Sequence, residues 1–179
     1  IVAALRATQP NIQDLMKSLY PQPILALDRL ADPGNLGTII RCADWFGSPH
    51  IVLNPDCVEW YNPKVVRGSM GSIFRVKGYT DIPLKEFLLR MQKKNYTTYA
   101  AVLDPRAPSE FVQPDRKTIL VIGNEADGID PEIEKICMHS ISIPRYGQAE
   151  SLNAAVACAI LLNTLMKQIF LTHSNHRNL

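Results

Sequence analysis

The sequence lacks the short motifs that mark the commonest nucleotide and hydrolase sites. Its 179 residues contain no GxGxxG fingerprint, no GxxxxGK[ST] phosphate loop and no GxSxG nucleophile elbow. The four histidines form no visible acid–base set with a serine. These absences weaken dinucleotide-binding, P-loop and serine-hydrolase interpretations.

Cysteine is scarce, and its spacing suits neither metal binding nor disulfide formation. Cys42, Cys57, Cys137 and Cys158 form no CxxC pair and have no paired histidines, so we expect no bound metal. Cys42 and Cys158 fall within apolar helical patterns, as buried, reduced thiols do. Reduced thiols indicate a cytoplasmic protein.

Long apolar runs and a strong net charge are also missing. No uninterrupted apolar run approaches the ~20 residues of a membrane span, and no signal peptide is visible, so we expect no membrane association. The formal net charge of +2 is too small to predict a nucleic-acid partner. Lys64 and Arg67 lie three residues apart and could contact phosphates from one helical face, although an ordinary solvated surface has the same pattern.

The sequence does contain enough apolar residues, 46% of the chain, for one domain with a full core. Helical patterns are expected at 11–19, 36–46, 84–94, 131–136 and 151–170. A further helix is expected to begin at Pro63, with Gly68 and Gly71 limiting its length. Apolar strand patterns alternate with them at 24–27, 50–53, 74–78, 97–103, 118–122 and 141–143. This alternation predicts an α/β fold, a mostly parallel sheet covered by helices on both faces.

Polar, glycine-containing turns follow three of the predicted strands. They are DPGN at 32–35, GNEADG at 123–128 and PRYGQAESLN at 144–153. The carboxyl ends of parallel strands meet at one edge of a sheet, where α/β folds bind ligands, so these turns are expected to form one site. Its candidate side chains are Asn35, Arg41, Asn124, Glu125, Ser151 and Asn153.

Four of these candidates also have a purely structural explanation. Ser151 could cap the last helix, Asn35 could serve only its turn, and Glu125 could be a solvated loop acid. Arg41 could pair with Asp44 on one helix surface, a contact of only ~0.2–0.5 kcal/mol. These explanations are sound one at a time, but together they leave the three-turn pattern to chance.

The three turns, in this order and at this spacing, resemble the three motifs of the SpoU family of RNA ribose methyltransferases, within the SPOUT superfamily. The first motif is DPGNLGTIIRCADWFG (32–47), the second LVIGNEADGID (120–130) and the third IPRYGQAESLNAAVA (143–157). The segment YNPKVVRGSMGSIFR (61–75) also resembles the family. The sequence departs from the usual pattern at Ala126, at Arg145 and at the pair Ala154-Ala155, and none of these departures removes a proposed catalytic group.

The resemblance implies a SPOUT fold, in which the last strand and the turn after it thread through a deep C-terminal trefoil knot. It implies S-adenosylmethionine as cofactor, and a homodimer in which the first and third motifs could come from different subunits. The implied reaction methylates a ribose 2′-hydroxyl in RNA. Ribosomal RNA is favoured over tRNA because residues 1–5 resemble the connector that follows an N-terminal RNA-binding domain in the ribosomal branch.

The same resemblance assigns roles to residues. The implied catalytic residues are Arg41, Asn35, Glu125, Ser151 and Asn153. The implied cofactor-binding residues are Leu103, Gly123, Asn124, Gly128, Ile143, Pro144, Leu152 and Asn153. RNA contacts are expected from Arg41, Lys64, Arg67 and Arg145. Arginine is a poor base because it keeps its proton in proteins, which favours electrostatic stabilisation by Arg41 over proton removal.

The implied organisation has three parts: a connector at 1–23 that follows a missing RNA-binding domain, a SpoU catalytic domain at 24–172, and a polar tail at 173–179. Two other functions stay open. One is a non-catalytic RNA-binding member of the same fold, which failure to bind the cofactor would support. The other is an α/β enzyme that uses another nucleotide, which a competition assay would reveal.

Overall fold

The computed structural model describes residues 9–17, 22–112 and 114–175, with side chains described as far as Thr172. Most of the predicted connector, including residues 1–8, therefore lies outside the described residues. The elements in chain order are α1 (Ile12–Lys17), β1 (Ile24–Leu27), α2 (Pro33–Trp45), β2 (His50–Leu53), α3 (Pro63–Gly68), β3 (Lys77–Tyr79), α4 (Leu84–Gln92), β4 (Thr97–Ala101), β5 (Thr118–Ile122), α5 (Pro131–Ile136), β6 (His139–Ile141) and α6 (Ala154–Asn175).

The described strands form one six-stranded sheet in the order β3-β2-β1-β5-β4-β6, and their pairings are all parallel. Successive residues of a strand point to opposite faces. Accordingly, Leu25 and Leu27 of β1 pack in one hydrophobic cluster with α2 and α6, whereas Ile24 and Ala26 pack in another with α4 and α5. The predicted parallel sheet with helices on both faces is confirmed.

Helix α2 begins three residues before the predicted start, at Pro33. Asp32 caps the helix, since its Oδ1 accepts a hydrogen bond from the Asn35 N–H at 2.7 Å. Pro33 takes the first helical position, where no N–H is needed. The interpretation of 32–35 as a separate turn was therefore wrong, and Asn35 lies in the first turn of a helix.

Helix α6 begins three residues after the predicted start, and Asn153 caps it in place of Ser151. The Asn153 Oδ1 accepts hydrogen bonds from the N–H groups of Ala155 at 2.9 Å and Val156 at 3.3 Å. The explanation of Ser151 as a helix cap was therefore wrong. The capping residue stands directly before Ala154, the first residue of the helix.

Helix α6 is long and apolar enough, over Ala154–Thr172, to cross a membrane by length and composition alone. The search for apolar runs did not find it, because Asn163, Thr164 and Lys167 interrupt the helix without lowering its mean hydropathy enough. The helix is nevertheless part of the domain core, to which it contributes Cys158, Leu161, Leu162, Leu165 and Ile169. It continues to residue 175, into the predicted polar tail, and residues 176–179 lie outside the described part of the chain.

The other elements differ from expectation mainly at their ends. The bounds predicted for β1, β2, β5 and α5 are confirmed. β3 begins at Lys77 because a 3-10 turn occupies residues 72–74, and α4 ends at Gln92. β6 lies at 139–141 because its partner β4 ends at Ala101, so the pairing stops there. The predicted first helix is observed as α1, and its last two residues lie outside the described ranges.

Helices α2 and α3 cross at a close backbone contact between Gly37 and Gly68. A Cβ on Gly37 would lie 3.0 Å from the Cα of Gly68 and 3.0 Å from the carbonyl oxygen of Val65. A Cβ on Gly68 would lie 3.5 Å from the Cα of Gly37, an ordinary van der Waals distance. The contact therefore tolerates a methyl group on one side only, and it sets the position of α2.

Replacing Gly37 with alanine is expected to destabilise the protein relative to replacing Gly68 with alanine. Gly37 lies inside α2 and Gly68 is the last residue of α3, so alanine should gain more helix propensity at position 37. A lower stability of Gly37→Ala would therefore report the backbone clash, which costs about 1–3 kcal/mol at an overpacked site. Urea unfolding of Gly37→Ala, Gly68→Ala and the unaltered chain measures this difference. Equal free energies of unfolding for the two variants would contradict the contact.

Candidate active site

A cavity of about 530 Å³ lies at the carboxyl edge of the sheet. Its walls are formed by residues that follow β4, β5 and β6, including the loop 122–129 and the segment 143–147. The volume is within the range of about 300–1,000 Å³ typical of small-molecule sites. Its place matches the ligand position expected for a parallel α/β sheet.

Most residues that the resemblance assigned to the cofactor line this cavity. Asn153 is the exception, since it lies outside the wall and contacts Asn35 instead. Among the proposed catalytic residues, Glu125 and Ser151 are in the wall, whereas Asn35 and Arg41 are not. The assigned cofactor residues in the wall are Leu103, Gly123, Asn124, Gly128, Ile143, Pro144 and Leu152.

Asn35 joins the three motifs through a chain of side-chain hydrogen bonds. The Asn153 Nδ2 donates to the Asn35 Oδ1 at 2.7 Å, and the Asn35 Nδ2 donates to the Glu125 Oε1. The amide of Asn35 is therefore held through its oxygen and its nitrogen. The contact between Asn35 and Asn153 also lies within one chain, so a second subunit is not needed to bring these two residues together.

The loop after β5 is a tight antiparallel turn. The Asn124 N–H donates to the Gly128 carbonyl at 2.9 Å, and the Gly128 N–H donates to the Asn124 carbonyl at 3.0 Å. Gly128 has a φ of +69°, which favours glycine, and a Cβ on Gly123 would lie 2.2 Å from the Gly128 carbonyl carbon. Both glycines are thus needed by a turn that carries Glu125 at its tip.

Arg41 is exposed on α2, and within the described ranges it makes no ion pair. The explanation that it pairs with Asp44 was wrong, because Asp44 binds Arg75. The Arg75 Nη2 and Nε lie 2.6 Å and 2.9 Å from the Asp44 Oδ2. Hydrogen bonding to the Arg75 guanidinium holds the pKa of Asp44 below its usual range. The guanidinium of Arg41 is consequently available to a ligand.

The other cations assigned to RNA are also exposed. Lys64 and Arg67 lie on α3, which packs against α2. Arg145 is part of the cavity wall, and its Nη1 donates to the Ala149 carbonyl at 3.5 Å. The structure therefore places Arg145 beside the cavity and the other two on the neighbouring surface.

Carboxylates outnumber cations around the cavity. Among the described wall residues Arg145 is the basic one, and the acidic ones are Glu125, Asp127, Glu134 and Glu150. Charges of one sign close together favour a ligand of the opposite sign. This wall is suited to a small molecule that carries positive charge.

The cysteines do not supply a nucleophile. Burial raises the pKa of Cys57 to about 11 and that of Cys137 to about 12, and it also raises the pKa of Cys42 and Cys158. Thiols with such values stay protonated at neutral pH and react poorly. Among the described residues no group of three or more His, Cys, Asp or Glu side chains could hold a metal ion.

Three polar residues beneath the loop were missed by the sequence analysis: Asp28, Arg29 and Asn54. The buried Asp28 carboxylate accepts hydrogen bonds from the Asn54 Nδ2 at 2.6 Å and the Asp130 N–H at 2.7 Å. The Asn124 Nδ2 donates to the Arg29 carbonyl at 2.8 Å. A signal existed, since Asp28 and Asn54 directly follow β1 and β2, as the loop directly follows β5.

The fold and the site define a parallel α/β domain with a small-molecule cavity at the carboxyl edge of its sheet. The model of the SpoU rRNA methylase family matches residues 22–163. The chain belongs to this family, and the resemblance found in its three motifs is confirmed.

Named relatives agree with this placement. The chain is 34% identical over 139 residues to the 23S rRNA (guanosine(2553)-2'-O)-methyltransferase RlmP of Bacillus subtilis, which covers 78% of this chain and 56% of the relative. A structure of an AdoMet-bound rRNA methyltransferase from Sinorhizobium meliloti is 30% identical, with a TM-score of 0.80, and covers 90% of this chain and 61% of that one. The TrmH/SpoU tRNA modifying enzyme of A. aeolicus is 26% identical, with a TM-score of 0.72, covering 88% and 81%. The chain spans about half the length of the curated relatives it matches.

Substitutions of Asn153 are expected to show how much its cap of α6 and its contact with Asn35 each contribute to stability. Asn153→Ala removes the capping oxygen and should lower the free energy of unfolding by about 1 kcal/mol. Asn153→Asp keeps a capping oxygen but cannot donate to Asn35, so its stability should stay close to that of the unaltered chain. Urea unfolding measures both. An equal loss in the two variants would show that the contact with Asn35, and not the cap, stabilises the fold.

Proposed function

We propose that this chain transfers a methyl group from S-adenosylmethionine to a ribose 2′-hydroxyl of RNA. The observation that carries the proposal is the hydrogen-bonded chain Asn153–Asn35–Glu125, which joins the three family motifs beside one cavity. The S. meliloti relative is described as AdoMet-bound, and the B. subtilis relative is named as a 2'-O-methyltransferase. Both names support the proposed cofactor and reaction.

The cavity suits S-adenosylmethionine in size, polarity and charge. Apolar side chains such as Leu103, Ile143 and Leu152 suit an adenine ring, and the excess of carboxylates suits a cationic ligand. When bound, S-adenosylmethionine supplies an electrophilic methyl group attached to a sulfonium sulfur. The wall residues proposed to hold it are Leu103, Gly123, Asn124, Gly128, Ile143, Pro144 and Leu152, whereas Asn153 lies outside the wall and holds Asn35.

The protein's contribution is to hold the ribose hydroxyl in line and to stabilise its oxygen as the proton leaves. Holding reacting groups in place can supply about 7–11 kcal/mol in favourable systems. We assign to Arg41 the stabilisation of the developing alkoxide and the binding of the adjacent phosphate, because an arginine keeps its proton. Its exposure on α2 and its freedom from ion pairs in the described chain support this role.

The other proposed catalytic residues hold the site in shape. Glu125 and Asn153 fix the amide of Asn35 from two sides, which fixes the first turn of α2. Arg41 lies on the same helix, so the position of its backbone is fixed as well. Ser151 is an exposed residue of the cavity wall, where its hydroxyl can contact the bound ligand.

Ribosomal RNA is the proposed substrate, and tRNA is the alternative. The B. subtilis and S. meliloti relatives are named for ribosomal RNA, whereas the A. aeolicus relative is named for tRNA. Exposed Lys64, Arg67 and Arg145 are proposed to bind phosphates of the RNA, together with Arg41. Such contacts position an RNA without selecting its sequence.

A trefoil knot around the third motif is part of the proposal. The loop after β4 contacts the chain on both sides of that motif, which supports a threaded path. The Ser142 N–H donates to the Pro108 carbonyl at 2.9 Å, and the Phe111 N–H donates to the Gln168 Oε1 at 3.1 Å. The chain trace of a crystal structure tests the knot, and an unthreaded trace would rule it out.

A cytoplasmic location without membrane attachment is also proposed. The free thiols and the packing of α6 in the domain core support it. Cell fractionation measures the location, and recovery of the protein in the membrane pellet would contradict it.

A homodimer formed through α2 and α6 is proposed as the functional unit. These helices pack against each other, and both carry exposed apolar side chains. Trp45 is 85% exposed, Phe170 76% and Ile160 39%. Exposed apolar surface of this kind marks an interaction site, and a second copy of the chain is the proposed partner.

Ile160→Lys is expected to convert the dimer to a monomer, because it places a charge in the proposed interface. Leu89→Lys is the matched control, since Leu89 is 41% exposed but lies on α4, across the sheet from α6. Sedimentation analysis of folded protein measures the mass. A monomeric unaltered chain, or identical behaviour of the two variants, would refute this interface.

Arg41→Ala is expected to lower methyl transfer about 10²–10³-fold, the usual effect of removing a group that stabilises a developing oxyanion. Affinity for S-adenosylhomocysteine should be unchanged, because Arg41 lies outside the cavity wall. Arg41→Lys should recover part of the activity, since it restores the charge but not the planar fork. Arg90→Ala, on α4, is the control.

Transfer of a labelled methyl group to ribosomal RNA and to tRNA, followed by nucleoside analysis, measures the activity. Calorimetric titration with S-adenosylmethionine and S-adenosylhomocysteine measures cofactor binding without RNA. A base-methylated product would refute the proposed reaction. Failure of the folded chain to bind either compound would refute the enzyme and favour a non-catalytic RNA-binding protein.

A further inference from the structure

The loop 123–130, here called the second-motif loop, rests on a buried carboxylate that methyl transfer does not use. Asp28 is 0% exposed. Its Oδ1 accepts a hydrogen bond from the Asn54 Nδ2 at 2.6 Å, and its Oδ2 accepts from the Asp130 N–H at 2.7 Å and lies 3.3 Å from the Arg29 Nε. Burying a charge is costly unless its oxygens are paired in this way.

Both ends of the second-motif loop are bonded to Asp28 and its neighbour Arg29. Near the start of the loop, the Asn124 Nδ2 donates to the Arg29 carbonyl at 2.8 Å. Near its end, the Arg29 Nη2 donates to the Gly128 carbonyl at 3.4 Å, and the backbone N–H before α5 donates to the Asp28 Oδ2. Two adjacent residues that follow β1 therefore fix both ends of a loop that follows β5.

Arg29 has a backbone conformation that residues other than glycine rarely adopt. Its φ is +53°, in the left-handed region. Its N–H donates to the Asn54 Oδ1 at 3.0 Å, so the residue that binds the Asp28 carboxylate also holds the Arg29 backbone. Strained residues persist where their surroundings determine them, and they concentrate at functional sites.

We propose that Asp28, together with Arg29, is a positioning residue of the cofactor site. Asn124 and Gly128 belong both to this network and to the cavity wall, so the network sets the shape of the wall. Asp28 itself lies outside the wall and acts only through the loop. The inference rests on the proposed cofactor, and its test includes a measurement that does not need that cofactor.

Asp28→Asn tests the proposal by replacing one carboxylate oxygen with an NH2 group. If the remaining oxygen keeps the Asp130 N–H, the new NH2 faces the Asn54 NH2 and both donors lack an acceptor. We expect affinity for S-adenosylhomocysteine to fall about tenfold, the effect of one unsatisfied buried hydrogen bond. The measurement is calorimetric titration of the full chain.

Adding Asn54→Asp to Asp28→Asn is expected to restore the affinity. The hydrogen bond between positions 28 and 54 is then reversed, because the amide donates and the carboxylate accepts. The carboxylate at position 54 can still accept the Arg29 N–H, and the amide oxygen at position 28 can still accept the Asp130 N–H. Asn54→Asp alone brings two carboxylates together and should weaken binding.

Ser48→Ala is the matched control for lost stability. Ser48 is also 0% exposed, and its Oγ donates to the Pro23 carbonyl at 2.7 Å, at the opposite end of β1 from the cavity. This variant should unfold more easily without losing affinity. The positioning role is refuted if Asp28→Asn, like Ser48→Ala, loses stability but keeps its affinity. It is also refuted if the double variant does not recover affinity.

Hydrogen exchange of the Asn124 and Gly128 amides provides the readout without cofactor. These amides should exchange faster in Asp28→Asn than in Ser48→Ala, and the double variant should slow them again. Unchanged exchange would overturn the inference whether or not the chain binds cofactor. Failure of the unaltered chain to bind S-adenosylhomocysteine would overturn the proposed function, and the exchange data would still decide the role of Asp28.

Discussion

Helices cover both faces of a parallel sheet, so polar groups can contact a ligand only at the ends of its strands. In this chain Asp28 and Asn54 directly follow β1 and β2 at the carboxyl edge, and Asn124 is the second residue after β5. Asp28 bonds Asn54 directly, and Asn124 bonds the backbone of the residue after Asp28. The edge is therefore one connected network, and the cavity wall depends on it because Asn124 belongs to both.

Several side chains both stabilise a helix and shape the site. Asn153 caps α6 with its oxygen and binds Asn35 with its nitrogen, and Asp32 caps α2 and so places Asn35 in the first helical turn. A structural explanation and a functional one therefore do not exclude each other at these positions. Arg41 differs, because among the described residues it makes no ion pair, so its proposed role rests on the family resemblance and not on a contact within the fold.

The parts of the fold that local patterns determine were predicted well. β1 is a continuous apolar run, β2 and β5 are apolar after one polar residue, and α5 has its proline and capping aspartate next to each other in sequence. β6 was misplaced because its end is set by pairing with β4, a contact between distant residues. The three motifs were visible as polar, glycine-containing segments and as a family resemblance. Asp28 was missed although it directly follows β1, because two of its hydrogen-bond partners lie 26 and 102 residues away and the local sequence does not reveal them.

Hydrogen bonds between residues far apart in sequence also limit where the site can depart from the family pattern. Asn35 bonds residues 90 and 118 positions away, so a change in any one motif leaves a donor or acceptor unpaired in another. The departures avoid these bonds. Ala126 donates its backbone N–H to the Asn124 Oδ1 at 2.7 Å, a contact that glycine would also make, and Ala155 donates its backbone N–H to the Asn153 Oδ1. Where the backbone makes the contact, the side chain is free to vary, and the hydrogen-bonded chain through Asn35 is retained.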